Sequence, residues 1–163
     1  MSERIRTLFF LNGLGLLVFA IVVGWVWFFA LIESIQLWPL PIHIDVAIPG
    51  DSRAWRMAHM EGITQGLMLM AIGAGGRFLL LNARQHVWFF WSAIITAWMF
   101  SIPALLNALF GTRGLAFGGG PFKAGLANDI IYLMGWPPVL GVHIMLALGI
   151  YGAFRHLRGA ARN

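Results

Sequence analysis

Four apolar runs, each long enough to cross a hydrocarbon core, constrain this chain more than any other feature. A helix needs about 20 apolar residues to span a bilayer. The runs extend from about Leu8 to Ile32, Met57 to Leu81, Val87 to Phe110 and Ile130 to Phe154, within 163 residues. Arg77 lies inside the second run, where its long stem lets the charge snorkel to the surface. Little sequence remains for anything else. Hydrophobic residues make up 60 % and charged residues 10 %, where a soluble domain carries about 25 % charged residues. The expected fold is therefore an all-α integral membrane protein, one four-helix bundle without a second domain. Soluble-enzyme architectures are excluded.

The first run begins with Arg4 and Arg6, as a signal peptide does. Its apolar stretch exceeds the roughly 7–15 residues of a signal core. No small-residue cleavage site follows among Trp25, Trp27, Phe28 and Phe29. It is read as a retained helix.

Four crossings put both termini and the middle connection on one side. That side collects Arg4, Arg6, Arg77, Arg84, Arg155, Arg158 and Arg162 against Glu3. The other holds Arg53, Arg56, Arg113 and Lys123, balanced by Glu33, Asp45, Asp51 and Asp129. Lys and Arg gather on the cytoplasmic face, so both termini are expected there. The net charge of +5 is then a matter of topology, and no nucleic-acid partner is expected. Trp38, Trp55 and Trp88 fall near run ends, where interfacial anchors belong.

Ionisable groups inside a membrane are costly and mark function. The second run carries His59, Glu61 and Gln65, and the fourth carries His143. With no cysteine in the chain, thiolate metal sites, iron–sulfur clusters and thiol nucleophiles are excluded. His59 is either an interfacial histidine or a ligand for a metal or haem. Gly62 and Gly66 follow on its face, a strip that could form a groove for a planar macrocycle or a small-residue helix contact. Glu61 points roughly 200° away from His59, with Arg53 or Arg56 as its expected partner. Gln65 lies about 120° around and about 9 Å deeper. A pocket shared by His59 and Gln65 needs walls from more than one face, as at a subunit interface.

His143 lies about 20 Å from the outer end by residue count, against about 3 Å for His59. One iron held by both histidines of a chain is not expected. The plain reading of His143 is a packed residue bonded to a backbone carbonyl near Pro137 and Pro138. The segment from Arg113 to Gly120 is glycine-rich but lacks the Lys-Ser/Thr of a phosphate loop. Arg113 is suited to a carboxylate partner such as a haem propionate.

Two blocks resemble one family. Pro49-Gly50, Trp55, Ala58-His59 and Gly66 resemble the start of the second span in styrene oxide isomerases. Arg113-Gly114-Leu115 and Phe117-Gly118 resemble their second outer loop. The resemblance implies a trimeric enzyme of the bacterial inner membrane with haem b between subunits. It implies that His59 ligates ferric iron, which acts as a Lewis acid on a lipophilic aryl epoxide. Ring opening and a 1,2-hydride shift then give a carbonyl compound, with no net redox change. Trp55, Gly62, Gly66 and Arg113 are expected around the cofactor, and Gln65 is expected at the substrate, where the family has asparagine. The family's pocket tyrosine falls at Ala104 and its pocket aspartate at Thr96, so the substrate half of the site is rewritten. Two other readings stand beside this one. The first is a haem-binding membrane electron carrier or sensor. The second is a cofactor-free membrane subunit with His59, Glu61 and His143 as a proton path.

Overall fold

In the computed structural model, residues 1–160 are described; Arg162, counted above with the basic end, lies outside the described residues. Helix α1 spans Glu3–Ile32, α2 Ser52–Gly75, α3 Ala83–Phe110, α4 Leu126–Met134 and α5 Trp136–Ala160. Three stretches are long and apolar enough to cross a membrane: α1, α3 and the α4–α5 arm taken together. Helix α2, at 24 residues, has the length. Its outer half carries His59, Glu61, Thr64 and Gln65, which lower its hydropathy.

Polar caps set the helix starts. Ser2 accepts from the backbone of Ile5, Asp51 from Ala54 and Asn82 from Gln85. Each cap satisfies an amide that the first turn leaves free. The helices begin four or five residues before their apolar runs. Helix α2 ends at Gly75, not near Leu81; a short 3-10 turn, Gly76–Phe78, follows it. The fourth run starts earlier, at Leu126, and is broken at Gly135, just before Pro137 and Pro138. Proline supplies no amide to the helix.

Helix α1 packs along α2, α2 along α3, and α3 along α5. The α1–α2 contact is built on small residues. A Cβ on Gly13 would lie 2.7 Å from the Gly66 carbonyl oxygen, and one on Gly66 would lie 2.9 Å from that of Gly13. Such close backbone approach is how apolar helices gain dispersion energy where lipid removes the hydrophobic drive. One buried cluster joins Phe9 and Leu16 of α1, Leu69 of α2, Phe89 of α3 and Met145 of α5. A second joins Val23, Trp55, Ala58 and Ala108 toward the other end.

At the arginine-rich end, the Arg6 side chain donates to the Gly73 carbonyl at 2.9 Å. The Leu80 amide donates to the Gly152 carbonyl at 3.1 Å. Both described chain ends thus lie beside the short α2–α3 connection. The opposite end carries a small antiparallel hairpin, β1 Ser34–Gln36 with β2 His43–Asp45. It was not expected from the apolar pattern. The glycine-rich loop between α3 and α4 lies at the same end.

Candidate functional site

His59 sits in the second turn of α2 with its ring turned toward α1. Its Nδ1 lies 2.8 Å from the Ala20 carbonyl oxygen. A carbonyl only accepts, so Nδ1 carries a proton, and in the neutral ring Nε2 holds the lone pair. Among the described residues Nε2 has no partner. The ring fits because residue 24 is glycine: a Cβ there would meet Nδ1 at 2.8 Å and Cε1 at 2.9 Å. Trp27 lies beside it, ring centroids 6.1 Å apart. The indole Nε1 of Trp27 donates to the Ser52 hydroxyl at 3.0 Å.

The glycine strip serves a different purpose from the macrocycle groove. Gly62 and Gly66 are buried against α1, where a Cβ on Gly62 would sit 2.9 Å from that of Ala20. The groove is filled by α1, and of the two readings the helix contact holds. Trp55 is neither an interfacial anchor nor open to a bound group within the chain. It is 1 % exposed, and its indole donates to the Pro49 carbonyl at 2.8 Å. Trp38 and Trp88, by contrast, are exposed.

Glu61 and Gln65 meet one turn apart on α2. The Gln65 Nε2 donates to a Glu61 carboxylate oxygen at 3.3 Å. This replaces the expected Arg53 or Arg56 partner. The Gln65 Oε1 atom is buried without a hydrogen-bond partner among the described residues.

Glu61 lines a chamber of about 560 Å³ between α2, α3 and the α4–α5 arm. Its floor on α3 comes from Met99, Phe100, Pro103 and Ala104. Arg53 and Arg113 also line it, as do Asn107, Tyr132 and Trp136. Tyr132 was not singled out from the sequence, because only the arm's path past α3 brings it to this wall. The ring of Tyr132 is held edge-on by Phe117 and by Trp136, each at 6.2 Å.

Arg113 donates to Asp51 at 3.3 Å, from the loop to the cap of α2. Asn128, 1 % exposed, holds that loop in place. Its Oδ1 accepts from the Thr112 hydroxyl at 2.8 Å and the Gly114 amide at 3.1 Å, and its Nδ2 donates to Ala116 at 2.8 Å. Gly114 has a positive φ of 56°, a conformation that suits glycine.

Thr96 is buried in the α3–α5 contact, its hydroxyl donating to the Ser92 carbonyl at 2.7 Å. His143 lies on the exposed face of α5, and its Nδ1 donates to the Val139 carbonyl at 2.7 Å. That carbonyl belongs to its own helix and is not one freed by proline. His143 lies deeper than His59: Gly141, two residues before it, packs on Ser92 and Thr96 near the middle of α3. The two histidines do not share a site within the chain. One faces α1, and the other is on a helix that packs against α3.

Among the described residues no three His, Asp or Glu side chains gather as metal ligands. The one fixed imidazole of His59 is a donor that would fit haem.

Comparison with curated proteins finds no match to the chain. The family model described as styrene oxide isomerase matches residues 5–154. That match takes in His59, Gln65, the chamber and all but the ends of the helical bundle, and the chain belongs to the styrene oxide isomerase family.

Proposed function

We propose that this protein is a haem-b-dependent membrane isomerase that converts a lipophilic aryl epoxide to a carbonyl compound. The observation that carries the proposal is the His59–Ala20 hydrogen bond in a chain of this family. It fixes the imidazole tautomer and leaves Nε2 free as a ligand atom, the arrangement that oriented metal-binding histidines use. When bound, ferric haem would supply a Lewis acid for opening the epoxide without net redox change.

The chain's own residues cover the remaining needs. His59 holds the cofactor. Arg113 and Arg53 are cations suited to its propionates. Gln65 does not line the chamber; it donates to Glu61, which does, and so positions that carboxylate at the wall. The chamber's mostly apolar lining disfavours the water that would trap a developing cation. Phe100 and Trp136 present π-faces that favour cationic character.

His59 turns toward α1, whereas the chamber lies on the opposite side of α2. A haem held between neighbouring copies, as in a homotrimer, would bring the two together. Helix α2 is proposed as the fourth crossing, sheltered between α1 and α3, with both termini cytoplasmic. The setting would be a bacterial inner membrane. The carrier reading needs a second axial ligand, and His143 does not meet His59 within the chain.

The test is an absorption spectrum of detergent-purified protein beside His59→Ala, followed by turnover of styrene oxide. A Soret band lost in the variant, with aldehyde formed by the wild type, supports the proposal. No Soret band after haem is supplied during expression overturns it.

A further inference from the structure

We propose that the chamber takes epoxides bearing an apolar group larger than one aryl ring, with Tyr132 as the residue that positions the substrate oxygen. The inference rests on the isomerase reading and names its substrate class.

Size comes first. Sites of roughly 300–1,000 Å³ bury drug-sized ligands, and this chamber measures about 560 Å³. A one-ring epoxide would leave much of it unfilled and forgo the dispersion contacts of the far wall. Ala104 keeps the space open, since any longer side chain on that part of α3 would enter it. The walls are flat and aromatic, from Phe100, Phe122, Tyr132 and Trp136. They suit a fused-ring group stacked or edge-on.

The oxygen comes second. Glu61 is an acceptor, and Gln65, which donates to it, does not line the chamber. The Asn107 Oδ1 atom is buried and unpaired and only accepts; the Nδ2 of that side chain is its one donor group. Arg113 is held by Asp51, and Arg53 is exposed. Tyr132 is half-buried, and among the described residues its hydroxyl has no hydrogen-bond partner. A neutral O–H can face an apolar cavity without a counter-charge. The edge-on contacts with Phe117 and Trp136 hold its ring, so little entropy is lost on binding.

The experiment uses full-length haem-loaded protein in detergent and unreactive probes, so that binding is read apart from turnover. The probes are 1-phenylethanol, 1-(2-naphthyl)ethanol and 2-ethylnaphthalene. The expected result is a preference of about tenfold for the naphthyl over the phenyl alcohol, abolished in Ala104→Leu. Tyr132→Phe is expected to weaken the naphthyl alcohol about threefold to tenfold and to leave 2-ethylnaphthalene unchanged. A lost packing contact would weaken both probes. Equal affinity for the two alcohols, a preference untouched by Ala104→Leu, or equal effects of Tyr132→Phe on alcohol and hydrocarbon would each overturn the proposal. Turnover of styrene oxide and 2-(2-naphthyl)oxirane is followed in parallel. Binding as expected without turnover of either epoxide counts against the isomerase reading and supports the chamber assignment. Turnover of styrene oxide without the binding preference does the reverse.

Discussion

The Nδ1 atom of His59 and the carbonyl oxygen of Ala20 stand 2.8 Å apart, across the contact between α2 and α1. The ring can come this close only because Gly24 offers no Cβ. Gly24→Ala should therefore displace the imidazole while leaving the ligand itself in place. We expect haem affinity to fall about 10–100-fold, the usual effect of losing an orienting partner. Haem titration followed by Soret absorbance checks it, and unchanged affinity would remove Ala20 from the site.

The glycine seam makes a separate prediction about stability. Gly66→Ala places a methyl group against the Gly13 carbonyl and Leu17. Overpacking of this kind costs about 1–3 kcal/mol. Thermal unfolding in detergent should shift downward. Gly75→Ala, with open space around its Cβ, is the control expected to leave the melting temperature unchanged.

Asn128 anchors the chamber's rim through four hydrogen bonds from one buried side chain. Asn128→Ala leaves the Thr112 hydroxyl and the Gly114 amide without their acceptor. The expected loss is about 1–3 kcal/mol. It should be local, read as faster proteolysis between Thr112 and Gly125 while the helical circular dichroism is retained.

Asp51 has two roles, capping α2 through the Ala54 amide at 2.8 Å and receiving Arg113. Asp51→Ser keeps the cap and deletes the ion pair; Asp51→Ala deletes both. A difference of about 1 kcal/mol in stability between the two variants is expected from the cap. If haem retention drops equally in both, the pair with Arg113 matters to cofactor binding. If it is retained in both, Arg113 acts independently of Asp51.

Much of this architecture was legible because lipid imposes a strict rule on apolar length. The run from Val87 to Phe110 lies within α3 and shares its last residue. Starts were less legible: Ser2, Asp51 and Asn82 act through single hydrogen bonds, which hydropathy does not register. The hairpin at Ser34–Asp45 escaped notice because its strands are three residues long and largely polar. At the site, His59 stood out as an imidazole in an apolar run. The Glu61–Gln65 contact had the right spacing, four residues on a helix, yet arginine was the stronger electrostatic guess. Tyr132 was out of reach, because its place on the chamber wall depends on how the broken arm α4–α5 lies across α3. Gly62 and Gly66 fitted both a groove and a helix contact, and the position of α1 shows the helix contact.

Helix α2 turns its proposed ligand toward α1 and its chamber residues toward α3 and the arm. Mutations on one side therefore need not disturb the other. A lineage could exchange Ala104, Tyr132 or Phe100 to reach new substrates while His59, Ala20 and Gly24 stay as they are. Such a division lets substrate range drift quickly on a conserved cofactor site. It also marks out a set of positions for directed evolution that spares the proposed ligand.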